Sequence, residues 1–159
     1  MNSTGPIIKN NKNMVFKGIN NQSIELNIIN YQYPDLIDEP HDCNWLIVNV
    51  KVLSNFGDWE ATDPALLTFD FEKMIEWFDN LSKNIEPKNT ELIFTEPSFL
   101  LFLENSYVDY IKKIKIELDL ELRIKGFSPE CYVDIHANNE ELEQISMDLR
   151  NELSKFPKR

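Results

Sequence analysis

The sequence predicts an α+β fold: a mostly antiparallel β-sheet of about seven strands, sandwich-like or strongly curved, with two packed helices, one of them C-terminal. Three patterns carry that prediction. Residues 113–124 alternate strictly between aliphatic even positions (Ile114, Ile116, Leu118, Leu120, Leu122, Ile124) and charged odd ones. This is the period of a strand with one face in a core and the other in water. Residues 70–83 and 139–156 instead repeat their apolar residues every three or four positions, as a helix on a core does. Short apolar runs punctuated by Gly, Asn and Pro fill the rest.

Taken in order, residues 1–13 are polar and Asn/Lys-rich and read as a flexible tail ahead of one domain over 14–159. Met14–Lys17 is the first strand, and Gly18-Ile-Asn20-Asn21 is a turn, since Asn tolerates positive φ. The second strand places Ile24, Leu26 and Ile28 on one face. Its parity then switches to Ile29, Tyr31 and Tyr33, which predicts either a bulge or burial on both faces before Pro34 ends it. Asp35 to Asp42 is an acidic loop. Cys43–Leu53 alternates as a long strand, and Asn55-Phe-Gly-Asp58 turns it into Trp59-Glu-Ala-Thr. Asp70 is the predicted N-cap of a helix to about Lys83, with a stripe of Phe71, Met74, Ile75, Phe78 and Leu81 and with Trp77 at its edge. Glu91–Thr95 and Phe99–Leu103 are short strands, the second apolar on both faces and therefore central. Lys113–Ile124 follows as one long strand, then a turn at Gly126-Phe-Ser-Pro129 and a partner strand Cys131–Ala137. Asn138 or Asn139 caps the last helix, which carries Leu142, Ile145, Leu149, Leu153 and Phe156 inward. Glu140 and Glu141 sit at its positive end, and Lys155, Lys158 and Arg159 at the other.

Composition narrows the function. The chain has 159 residues, 42% of them hydrophobic, and a formal charge of -11, yet only two His, two Cys and four Gly. The charge is spread as -3, -5 and -3 over residues 1–60, 61–125 and 126–159, so no basic subdomain hides in the average. With a sequence pI near 4.6 this argues against nucleic acid, whose phosphates need clustered Lys and Arg. An acidic surface attracts a basic partner instead. Two Cys far apart in sequence read as reduced thiols, and no run approaches the roughly 18 apolar residues of a membrane span, so a cytoplasmic protein is expected.

Catalytic constellations are sparse. His41, Cys43, Cys131 and His136 have zinc-ligand chemistry. However, Cys131 and His136 lie five residues apart on one strand and so point to opposite faces. No metal or cofactor is expected. There is no Gly-x-Ser-x-Gly elbow, and Gly5, Gly18, Gly57 and Gly126 stand alone where a phosphate cradle needs glycines in series. Some pair among 27 acidic residues will stand at glycosidase spacing by chance alone, which keeps a small hydrolase open as an alternative.

The order of several motifs points further. Asp42-Cys-Asn44-Trp45-Leu46 precedes Trp59-Glu-Ala-Thr62-Asp63-Pro64-Ala-Leu66-Leu-Thr68. Glu76-Trp77-Phe78, Phe94-Thr-Glu96-Pro97 and Lys155-Phe156-Pro157-Lys158-Arg159 follow. From about Phe16 to Arg159 this set resembles the WapI-type immunity proteins. The resemblance implies a cytoplasmic antidote that binds and neutralises the toxic C-terminal domain of a contact-dependent, wall-associated partner, typically a nuclease acting on RNA. A nuclease domain is basic because its substrate is anionic, which agrees with the acidic composition.

The expected activity is therefore non-enzymatic, one-to-one occlusion of a basic toxin domain, with neither nucleic acid nor membrane as partner. The expected contacts are Asp35, Asp38, Glu39 and Asp42 of the acidic loop with Trp45, and secondarily Glu117, Asp119 and Glu121 on the wet face of the alternating strand. Asp63-Pro64 and Glu96-Pro97 read as turn and strand-end punctuation. A generic acidic protein-binding module is the remaining alternative.

Overall fold

The computed structural model describes residues 13–126 and 130–159. Strands β1 (Met14–Lys17), β2 (Ser23–Tyr31), β3 (Trp45–Ser54) and β4 (Gly57–Leu67) form one antiparallel sheet in that order. Strands β5 (Glu91–Leu92), β6 (Phe99–Leu103), β7 (Lys112–Leu118) and β8 (Cys131–Ala137) form a second. Helix α1 (Thr68–Ser82) links the sheets and helix α2 (Asn139–Leu153) follows the last strand. The fold is α+β as predicted, with eight strands in two sheets and no closed barrel among the described residues.

One apolar core runs through both sheets and both helices. Phe16 of β1 shows how: its ring lies 5.9 Å from Phe78 of α1 and 5.9 Å from Phe99 of β6. Ile24, Leu26 and Ile28 are buried and Glu25 and Asn27 are not, as the alternation requires. Of the two readings of the parity switch the bulge is the one present, as a register shift between Ile28 and Asn30, while Ile29 and Asn30 are exposed. Beside it the Ile28 N–H donates to the buried Glu152 carboxylate at 2.8 Å, which clips α2 to β2. The turn after β1 packs tightly against β8 at Gly18. A Cβ there would sit 2.4 Å from Val133 Cγ1 and 2.9 Å from the Asp134 carbonyl, so only glycine allows the approach.

Several elements differ from the sequence reading. Asp70 is the third residue of α1, not its N-cap. The chain turns at Leu67, and the Asp70 carboxylate reaches back to accept its N–H at 2.8 Å. Asn138 caps α2 in a full reciprocal box with Glu141. Pro64 lies inside β4 and not in a turn. This strand is a sheet edge, and its register with β3 slips between Leu46 and Val48, so the missing N–H interrupts no regular ladder. The first of the two short strands reduces to Glu91–Leu92. β3 begins at Trp45 because Asp42–Asn44 form a 3-10 turn.

The largest difference concerns residues 113–124. β7 ends at Leu118, where Asp119 accepts the Leu120 N–H at 2.8 Å and starts a 3-10 turn over Leu120–Leu122. Leu118 and Leu122 are buried and Leu120 is exposed. An alternating pattern thus spans a strand and a turn. The predicted turn at Gly126–Pro129 and the tail over 1–13 lie outside the described residues, apart from Gly126 and Asn13.

Candidate functional site

The acidic loop is built from both of its ends. Pro34 removes a donor and ends β2, and a run of four acids with two prolines and little apolar content leaves residues 34–42 on the surface. Arg159 holds the two ends together. Its guanidinium donates to the carbonyls of Tyr33 (2.7 Å), Pro34 (2.7 Å) and Cys43 (3.0 and 3.2 Å), and lies 3.9 Å from the Tyr31 ring centre. Asn44, fully buried, completes the join. Its amide donates to the carbonyls of Pro40 (2.6 Å) and Arg159 (2.9 Å). Its oxygen accepts from the Arg159 N–H (2.8 Å) and from Thr68 Oγ1 (2.9 Å) at the start of α1.

On this base Asp35, Asp38, Glu39 and Asp42 are all exposed. Asp42 faces the His41 ring at 3.4 Å, and among the described residues no Lys or Arg pairs with any of the four. Trp45 is half-buried and stands edge-on to His41, with ring centres 5.8 Å apart. Ile37, 73% exposed, sits among the acids. Sequence reasoning missed Ile37 and Arg159 as parts of this site. A lone isoleucine in a loop carries no periodic signal, and Arg159 reads as an ordinary helix-end cation.

Glu117, Asp119 and Glu121 do not form one strip. Glu117 projects from β7 beside Lys115 and Glu130. Its carboxyl is raised above the ordinary range mainly by burial, then by Glu130, with Asp119 adding to it and Lys115 opposing. Asp119 turns to cap Leu120 and lies 3.5 Å from the Arg123 guanidinium. Glu121, on the 3-10 turn, lines a groove of about 460 Å³ with Trp59, Glu60, Thr62 and Arg123. Nearby, Asp63 is raised by burial and then by the charges of Glu96 and Glu121. Trp59 closes one side of this groove by donating its indole N–H to the Leu122 carbonyl at 2.9 Å.

A profile of the immunity protein WapI-like family matches residues 15–157, nearly the whole chain. The chain belongs to that family. No curated protein and no solved structure matches it.

Family membership gives the chain an immunity function and changes what its residues need to do. An inhibitor needs surface, whereas catalysis needs a cleft with converging groups. Among the described residues no three of His, Cys, Asp and Glu gather as a metal site. His41 and Cys43 sit by the 3-10 turn before β3, and Cys131 and His136 lie on β8, where Cys131 is buried and His136 is exposed. No helix among the described residues is long and apolar enough to cross a membrane.

Several motif residues are explained by folding alone. Trp77 donates its indole N–H to the Asn89 carbonyl at 2.9 Å and fixes the loop after α1. Asn44 organises the acidic loop without facing solvent. These side chains shape the surface from beneath.

Proposed function

We propose that this chain is a non-enzymatic, cytoplasmic immunity protein that binds a cognate basic toxin domain, a nuclease acting on RNA, one to one and occludes its substrate groove. Membership of the WapI-like family carries the reading, because an immunity protein implies a toxin protein as its partner. The charge of -11 supports a basic partner, and the acidic loop supports a place for it. There Asp35, Asp38, Glu39 and Asp42 surround Ile37 and Trp45, so carboxylates that steer association flank apolar groups that lose water on contact. Glu117 on β7, Asp119 just beyond it and Glu121 on the following 3-10 turn form separate secondary contacts.

The test is co-expression with the toxic C-terminal domain encoded beside this gene, followed by binding of the purified pair at low and high salt. We expect rescue of growth and tight one-to-one binding that weakens as salt rises. Charge reversal at Asp35, Asp38 and Glu39 should slow association at least tenfold at low salt and flatten its salt dependence, with the melting temperature unchanged. Unchanged association would remove the loop from the interface while leaving the inhibitor reading in place. If instead no rescue and no binding are seen, the hydrolase alternative gains. It would rest on Glu121 in its groove and on Asp63, whose carboxyl feels the Glu121 charge, and Asp63→Asn would abolish its activity.

A further inference from the structure

The acidic loop is two hydrogen-bonded turns in succession. In the first, the Tyr33 carbonyl accepts the Leu36 N–H at 3.1 Å, and Asp35 lies within the turn. In the second, the Glu39 carbonyl accepts the Cys43 N–H at 2.9 Å and the His41 carbonyl accepts the Asn44 N–H at 3.1 Å, and this turn carries Glu39 and Asp42. One side chain bonds both turns, and it comes from the far end of the sequence. Arg159 donates from Nη2 and Nη1 to the Tyr33 and Pro34 carbonyls of the first turn, and from Nε and Nη2 to the Cys43 carbonyl of the second. The Tyr31 ring lies against the guanidinium. Tyr31 is itself held by donating its hydroxyl to the Pro157 carbonyl and by the edge-on Phe156 ring, 5.5 Å away.

Two features set this arginine apart from an ordinary helix-end cation. First, the donors named above all go to backbone carbonyls, although Asp35 and Asp42 are the immediate neighbours of Pro34 and Cys43. A guanidinium bonds more strongly to a carboxylate than to a neutral acceptor. Here it holds the frame of the loop instead, and the four exposed carboxylates stay available to a partner. Second, the bridge needs the planar fork of arginine. Carbonyls on two separate turns are reached at once from three nitrogens in fixed relation, which the single ammonium of lysine cannot reproduce. The charge also acts on the loop. Four acids on so short a segment repel one another, and a cation bonded to its frame offsets part of that repulsion.

We infer that Arg159 is a positioning residue for toxin recognition: it fixes the acidic loop in its binding shape before the partner arrives, so that the loop fits a fixed set of Lys and Arg side chains on the toxin domain. This rests on the proposed place of the toxin on that loop. The consequence is a division of labour. Long-range steering depends on how many charges the loop carries and little on their arrangement, so the acids govern association. A loop without its bridge has to be ordered on contact, which weakens the complex once formed, so Arg159 governs dissociation.

The test uses Arg159→Ala and Arg159→Lys, the second of which keeps the charge and loses the fork. Amide exchange is read on the free proteins, and rates are read with the toxic C-terminal domain encoded beside this gene. In both variants exchange over residues 34–43 should quicken while that of β7 and β8 stays as in wild type, which shows the fold intact. Dissociation should be at least about tenfold faster, with association within about twofold and its salt dependence kept. Wild-type exchange over 34–43 in Arg159→Ala would overturn the positioning role. So would a lysine variant that restores both exchange and dissociation, because charge alone would then suffice. Faster exchange with unchanged dissociation would overturn it too, and the charge reversal at Asp35, Asp38 and Glu39 then separates two cases. If that reversal slows association, the loop still meets the toxin and only the positioning role is lost. If it does not, the loop lies outside the interface and both readings fall.

Discussion

Asn44 shows how a buried polar residue can determine a surface. Two donors and two lone-pair directions on one amide are all engaged, to Pro40, to Thr68 and to both backbone groups of Arg159. Replacing it with alanine strands four buried or half-buried groups, and leaving even one such group unpaired costs about 1–3 kcal/mol. Asn44→Ala should therefore lower stability by about 3 kcal/mol in urea unfolding, and amides of residues 34–43 should exchange faster well below the unfolding midpoint. A loop that keeps wild-type exchange would show that Arg159 alone fixes it. In sequence Asn44 was visible only as one letter of Asp42-Cys-Asn-Trp45. Its role depends on a partner more than a hundred positions away, and local periodicity says nothing about such pairs. Arg159 was hidden for the same reason.

At the level of elements, what was legible in the sequence was whatever a local period encodes. The stripes of α1 and α2, the alternation of β2 and β3 and the bulge after Ile28 all stand where the apolar residues place them. The failure at residues 119–124 has the opposite cause. Every second residue is aliphatic there too, but Asp119 offers its carboxylate to the next N–H and diverts the chain into a 3-10 turn. Leu120 then adopts φ 50°, a left-handed conformation that costs a branched side chain about 1–2 kcal/mol, with its side chain about half exposed. Leu120→Asn places there a residue that tolerates this region. It should raise stability by about 0.5–1 kcal/mol in chemical denaturation, a gain that the strand predicted from sequence would not allow. A loss of stability would mean that the half-exposed leucine contributes more by packing than its backbone costs. For the candidate site the lesson is direct. Glu117 and Asp119 remain neighbours, but Glu121 is carried away to Asp63 and Glu96.

For the molecule as a whole, the charge that suits a basic partner works against the unbound fold. Asp63, Asp70 and Glu117 are each raised, with burial as the largest cause in all three. The folded protein thus holds these protons to higher pH than the unfolded chain does. Their contribution is at its most favourable below the ordinary carboxylate range and is lost as pH rises through the raised values. Repulsion among the acids behind the charge of -11 acts in the same direction, weakening as carboxylates protonate. The usual carboxylate, paired and depressed, has the reverse effect. Here the melting temperature should therefore rise as pH falls from about 8 toward about 5 at fixed low ionic strength, with most of the change at the acid end of that range. Measurements belong above pH 5, clear of the isoelectric region near 4.6. Asp70→Asn separates the two causes. It keeps an oxygen for the Leu67 N–H while removing a nearly inaccessible charge, so the profile should flatten if burial dominates and keep its slope if surface repulsion does. A melting temperature that climbs with pH would refute both. If the slope does come from surface repulsion, the basic toxin domain proposed as partner should relieve it on binding, and the complex should melt with far weaker pH dependence than the immunity protein alone.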